Sequence, residues 1–104
     1  MNEREIKRQK LLTEMLGGAA ESIRTTPSFA ECKRLIEINE FELVLIALEE
    51  EGRRLRLSFE FWDVLKKSAD LMGLPERAKE LQRRRYQSRV VAQPSAAVDG
   101  FVAP

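Results

Sequence analysis

Hydrophobic residues recur at intervals of three and four along most of this chain, which is the spacing of one face of an α-helix. The pattern is densest from residue 39 to residue 52. Asn39 is a residue type that caps helix N-termini, and Gly52 is one that ends helices. The apolar residues between them fill one face, and a further three lie off it: Phe41, Val44, Leu45 and Leu48, then Leu43, Ile46 and Ala47. This stretch predicts a central helix that is buried between neighbours.

The helix before it begins near a proline. If Pro27 lies in the first helical turn, where its missing N–H costs nothing, Thr26 can act as the cap. Ser28 and Glu31 offer an alternative start, one turn later, as a capping box. In either case the helix runs to about Ile38, and the connection to the central helix is very short.

After the central helix, a short connector with Leu55 and Leu57 turned inward leads to a helix that Ser58 caps and Gly73 ends. The first predicted helix of the chain covers residues 3–22, and the Gly17-Gly18 pair favours an end or a bend in it. The last predicted helix covers residues 75–88.

These elements predict an all-α fold, a small antiparallel helical bundle of four to five short helices. We expect residues 1–88 to form a single helical domain. Residues 89–104 contain two prolines, a glycine and several small residues without periodicity. We expect them to form a flexible, disordered C-terminal tail.

Composition narrows the classes of function. The chain of 104 residues is 43% hydrophobic and 34% charged, and its single cysteine, Cys32, has no second cysteine to pair with. A charged N-terminus and the lack of an apolar run of about 20 residues predict a cytoplasmic protein. There is no histidine, which excludes imidazole catalysis and most zinc sites. Carboxylates and lysines leave an enzyme open, but we expect a non-enzymatic protein without cofactor or metal.

The charge is divided unevenly along the chain. Residues 31–51 contain seven acidic and two basic residues, whereas residues 52–90 contain five acidic and eleven basic ones. The acidic side chains near the centre could form a docking surface for a basic partner: Glu37, Glu40, Glu42, Glu49 and Glu50. The alternative is a solvated helix face whose carboxylates compensate the helix dipole.

The basic C-terminal part offers a second candidate surface. Arg83, Arg84 and Arg85 could follow a phosphate backbone, and Tyr86 could stack on a base. Basic residues are also expected in the last turns of a helix because of its dipole. Charge alone supports no more than non-specific nucleic-acid binding.

Two smaller groups have structural interpretations. The aromatic cluster of Phe59, Phe61 and Trp62 is expected in the core at the start of a helix, and Cys32 is expected to be a small buried residue. A homodimer that buries Leu43 and Ile46 is a third functional alternative.

The segments LIEINEFELVLIALEEE and LSFEFWDVLKKSADLMGL resemble the Maf-type immunity family, small helical immunity proteins of bacterial polymorphic toxin systems. The matching positions are those of an acidic turn and of a later Met-Gly-Leu: Ile36, Glu37, Glu40, Glu42, Leu43, Leu45, Met72, Gly73 and Leu74. Val44 stands where alanine is commoner in that family, and the arginine-rich last helix is not part of the match.

The resemblance implies a non-enzymatic bacterial inhibitor. Such a protein would bind a cognate toxin domain, often a nuclease with a basic cleft, and would block that cleft with an acidic surface. The residues that the resemblance and the charge pattern assign to this surface are the five candidate glutamates named above.

Overall fold

The computed structural model describes the backbone of residues 2–102 and the side chains of residues 2–88. Its helices are α1 Glu3–Ala20, α2 Ser28–Glu37, α3 Phe41–Leu55, α4 Phe59–Leu71 and α5 Pro75–Val102. One turn of 3₁₀-helix, Glu21–Ile23, continues α1, and no strand occurs within residues 2–102. The predicted small all-α bundle is confirmed. Helix α5 continues to Val102, past the end that the sequence predicts near residue 88. The predicted flexibility of residues 89–104 stays a prediction.

Three helices share the core. Helices α1, α3 and α4 each pack against the other two, while α2 packs on α1 and α3, and α5 packs on α4. The largest side chains that are fully shielded from solvent come from α1, the 3₁₀ turn, α3, α4 and the start of α5: Leu16, Ile23, Leu45, Leu48, Leu65 and Leu81. Cys32, Phe61 and Trp62 are buried too, as the sequence predicts. Phe59 is only partly buried.

The neighbours of α3 cover one of its faces and leave the other in solvent. The predicted face of Phe41, Val44, Leu45 and Leu48 is buried. The prediction that α3 is also buried on its other side is wrong, because Leu43 and Ile46 are 49% and 42% exposed. Helices α1, α2 and α4 pack on α3, and among the described residues none of them shields Leu43 or Ile46 fully from solvent.

Helices α2, α3 and α4 end in the same kind of turn. A residue with positive φ follows each helix: Asn39 at 60°, Arg56 at 54° and Gly73 at 72°. The next amide then donates to the carbonyl five residues earlier, as from Glu40 to Leu35 at 2.9 Å. Gly73 thus ends its helix as predicted. Asn39 does not cap α3, because it forms the left-handed turn after α2.

Gly52 has a role different from the predicted helix stop, since α3 continues through it to Leu55. A Cβ atom at this position would lie 2.5 Å from Cε2 of Phe61 and 2.9 Å from Cζ2 of Trp62. The two rings pack edge to face with centroids 5.4 Å apart, and the Trp62 indole N–H donates to the Leu57 carbonyl at 3.1 Å. Only glycine lets α4 bring these rings against the α3 backbone.

The start of α2 also differs from both predictions. The Thr26 hydroxyl donates back to the Ile23 carbonyl at 2.8 Å and does not cap. The capping box is not formed, because Ser28 donates to Glu51 of α3 and Glu31 pairs with Arg34. Ser28 has thus taken a tertiary partner, whereas Thr26 and Glu31 have taken other local ones.

At the other predicted boundaries, Ser58 precedes α4 with extended backbone, although its side chain makes no capping bond. The Gly17-Gly18 pair lies inside α1, which runs on to Ala20. Leu57 packs against the core as predicted, whereas Leu55, in the last turn of α3, is 38% exposed.

Candidate protein-binding surface at the α2–α3 corner

The turn between α2 and α3 is short and fixed by backbone hydrogen bonds. The Asn39 amide donates to the Ile36 carbonyl at 3.0 Å, in addition to the bond from Glu40 to Leu35. These bonds use the carbonyls that the last turn of α2 would leave unpaired. The end of α2 and the start of α3 therefore meet at a defined corner.

Four carboxylates around this corner point into solvent without a partner. We call these four exposed residues the acidic corner: Glu37, Glu40 and Glu42 at the turn itself, and Glu50 about 12 Å further along α3. Within residues 2–88, none of these carboxylates makes a hydrogen bond or an ion pair. Glu40 and Glu42 flank the first residue of α3, where the helix dipole stabilises negative charge. Negative charge is thus held at the corner and is not neutralised by the fold.

The fifth predicted residue, Glu49, is used inside the domain. Its Oε2 lies 2.5 Å from Nη1 of Arg77, and this ion pair ties α3 to α5. Both side chains are partly shielded, at 17% and 31% exposure. Four of the five candidate glutamates are therefore exposed and unpaired, three of them at the turn and Glu50 further along α3, whereas Glu49 has a structural partner.

Glu51, next to this group in sequence, is buried and belongs to the interior of the bundle. It accepts a 2.6 Å hydrogen bond from the Ser28 hydroxyl and pairs with Arg54. The bond from Ser28, and then that from Arg54, hold the pKa of the Glu51 carboxyl below its usual value, against the opposing effect of burial. Glu51 joins α2 to α3 and is unavailable to a partner.

An aliphatic patch lies at the same corner. We call Ile38, Leu43 and Ile46 the apolar patch; they are 54%, 49% and 42% exposed. Leu43 and Ile46 are three residues apart on α3, which makes them neighbours on one helix surface, and Ile38 directly follows the last residue of α2. Exposed aliphatic residues surrounded by charged ones are typical of sites where proteins bind each other. The sequence pattern singles out Leu43 and Ile46 as off-face residues, but Ile38 has no such signal.

The basic run, Arg83 to Tyr86 on α5, has a different environment. Arg85 pairs with Asp63 of α4, and its guanidinium carbon lies 5.4 Å from the Phe59 ring centroid. Arg83 and Arg84 approach Glu80 at 3.3 and 4.0 Å. All three arginines thus have an acidic neighbour, while Tyr86 is 66% exposed.

Asp63 is the anchor of this region. Hydrogen bonds from Lys67 and then from Arg85 hold the pKa of its carboxyl below its usual value. Phe59, Gln82, Arg85 and Tyr86 line an open groove of about 280 Å³ beside it. The groove thus places two aromatic rings and the Gln82 amide next to the Arg85 guanidinium, which already pairs with Asp63 of α4.

Other chemistry has little support in the described part of the chain. Burial, and then the charges of Glu51 and Glu31, raise the pKa of the Cys32 thiol, which disfavours the reactive thiolate. Within the described residues, no three metal-ligating side chains converge. A search of those same residues finds no helix with the length and hydrophobicity needed to cross a bilayer.

Comparisons with known proteins add nothing to this geometry: no family model, no curated protein and no solved structure matches the chain.

Proposed function

We propose that this chain is a non-enzymatic protein-binding module that binds a basic partner through the α2–α3 corner. The observation that carries the proposal is the acidic corner together with the apolar patch. Unpaired carboxylates steer a basic protein toward the corner and fix its orientation. Exposed aliphatic side chains then lose water on contact, which slows dissociation.

The partner that fits the resemblance to the Maf-type immunity family is a bacterial toxin domain with a basic cleft. Blocking such a cleft requires a rigid acidic surface and no catalytic group. The corner meets this need, because Gly52, the Glu51 contacts and the backbone bonds after α2 fix α3 in the bundle. We therefore propose an immunity protein that neutralises its toxin by occlusion.

Nucleic-acid binding by the basic run is the weaker candidate. Arg85 would have to leave Asp63 and the Phe59 ring before it could bind a phosphate. Arg83 and Arg84 already share the charge of Glu80, so the run offers a phosphate backbone less net charge than its sequence indicates.

The test is affinity capture from the native cell with three forms of the protein: wild type, a variant with Glu40→Lys and Glu42→Lys, and a Glu60→Lys control. Glu60 is a matched control because it occupies the second position of α4, as Glu42 does in α3, and is also exposed. Both changes remove the same favourable interaction with a helix dipole. The control lies on a different surface and reverses one charge, whereas the double variant reverses two.

We expect wild type and Glu60→Lys to recover one stoichiometric protein other than the chain itself. The double variant should bind that protein with an association rate about tenfold lower at low salt, and the difference should shrink as salt is added. Equal binding by all three forms would remove the acidic corner from the proposal. Recovery of nuclease-sensitive nucleic acid without a protein partner would favour the basic run instead.

A further inference from the structure

The exposed side of α3 changes character from one end to the other. We call Glu42, Leu43, Ile46, Glu50 and Arg53 the outer face of α3; all five are exposed. Glu42 lies in the first turn and Arg53 in the last. The two aliphatic residues and a second acidic residue, Glu50, lie between them. Arg54 pairs with Glu51 of its own helix, whereas Arg53 makes no ion pair within the described residues 2–88.

We propose that the outer face of α3 binds the same face of a second copy of the chain, with the two α3 helices antiparallel across a two-fold axis. The stripe of Glu42, Ile46 and Arg53 runs from negative through apolar to positive, and such a stripe is complementary to itself only in this orientation. Parallel helices would bring Glu42 against Glu42 and Arg53 against Arg53.

Helix geometry fixes the register. At 100° per residue, Glu42, Arg53 and Ile46 fall within about 40° of each other around the helix axis, so they form one stripe. In an antiparallel pair related by a two-fold axis, this stripe faces the same stripe of the second copy. An axis between residues 47 and 48 sets Glu42 level with Arg53 of the other chain. Two ion pairs between Glu42 and Arg53 then lie on either side of the two-fold axis.

The aliphatic residues lie where this register needs them. With a rise of 1.5 Å per residue, the two Ile46 residues are about 4.5 Å apart along the helix direction, close enough for their side chains to pack. Leu43 lies on the other edge of the face, where it meets Glu50 and the methylene groups of Arg54 of the second copy. Glu42, Ile46 and Arg53 thus each meet a partner of suitable chemistry, and Leu43 packs on the methylene groups of Arg54.

This contact goes beyond the proposed function and does not depend on it. It covers Leu43, Ile46 and Glu42, which the proposed binding surface also uses. A second copy and a basic partner therefore exclude each other on α3, and partner binding dissociates the dimer. One pair of helices forms a smaller interface than stable dimers have. The dimer is therefore weak and is populated only at high protein concentration.

Sedimentation velocity on the purified protein, over roughly 10 to 1,000 µM, tests the contact. Wild type should show a reversible monomer–dimer equilibrium. Glu42→Arg alone and Arg53→Glu alone should each weaken the dimer about tenfold or more, since both ion pairs become repulsive. An equimolar mixture of these two variants should dimerise at least as well as wild type. In the mixed dimer, one chain has arginine at positions 42 and 53 and the other has glutamate at both, so both contacts are again ion pairs.

Two further variants separate this interface from general effects of charge. Ile46→Ser should abolish association without loss of helix content, and Glu60→Arg, on α4, should leave it unchanged. A wild-type protein that stays monomeric up to the highest concentration overturns the proposal. A mixture that stays as monomeric as its components also overturns it. Neither result bears on a basic partner, which the capture experiment tests separately.

Discussion

The two faces of α3 have similar residues and opposite roles. The inner face holds Leu48 at 0% exposure and lets α4 approach at Gly52, whereas the outer face exposes Ile46 at 42%. Both faces contain aliphatic residues at helical spacing, and both contain glutamate. What distinguishes them is whether another helix supplies a partner. Substitutions on the inner face should therefore change stability, and substitutions on the outer face should change binding.

The largest expected difference is between Leu48→Ala and Ile46→Ala. The two residues are two positions apart on one helix, so burial is the main property that separates them. Loss of the buried Leu48 side chain leaves a cavity and should lower the free energy of unfolding by about 2–5 kcal/mol. Ile46→Ala should change it by no more than about 0.5 kcal/mol.

Urea unfolding at low micromolar protein concentration, where the chain is monomeric, measures both values. Equal losses of stability would mean that Ile46 is buried within the monomer, and the distinction between the two faces of α3 would then be lost.

A smaller effect is expected for Gly52→Ala. The added methyl group meets Cε2 of Phe61 at 2.5 Å, and overpacking of this kind costs about 1–3 kcal/mol. The better helix propensity of alanine offsets part of this cost. Gly17→Ala is the matched control, because Gly17 is also inside a helix and has nothing within 4 Å of the added carbon.

We expect Gly17→Ala to raise the free energy of unfolding by about 0.5–1 kcal/mol, opposite in sign to Gly52→Ala. Thermal or urea unfolding of both variants checks the signs. Stabilisation by both substitutions would show that Phe61 and Trp62 do not press against α3.

The same comparison shows how far the sequence could predict this molecule. Hydrophobic spacing located the helices and the buried face of α3, because helix periodicity is a local property. The role of Gly52 could not be predicted from its sequence neighbours, since it depends on the rings of Phe61 and Trp62, nine and ten residues later. The sequence also could not tell which glutamates are free. Glu49 is paired across 28 positions and Glu51 across 23, and only the folded bundle brings these partners together.

The smallest effect concerns the polar contact of the inner face, the hydrogen bond from Ser28 to Glu51. Ser28→Ala should lower the free energy of unfolding by about 1 kcal/mol at neutral pH. The pKa of Glu51 is lowered in the folded state, so this contribution is fully present above the pKa of about 4.3 in the unfolded chain. It is lost as the pH falls through the folded-state pKa, because a protonated carboxyl accepts the hydrogen bond from Ser28 less strongly than a carboxylate does. The stability difference between wild type and Ser28→Ala should therefore shrink below about pH 4.

In a Glu51→Gln background, in which residue 51 cannot titrate, Ser28→Ala should lower the free energy of unfolding by an amount that does not change with pH. Urea unfolding of the four proteins from pH 3 to 7 gives the coupling between the two side chains directly. If the cost of Ser28→Ala in the wild-type background were independent of pH, Glu51 would not be the charged acceptor of this bond, and the inner face of α3 would be held by its apolar contacts alone.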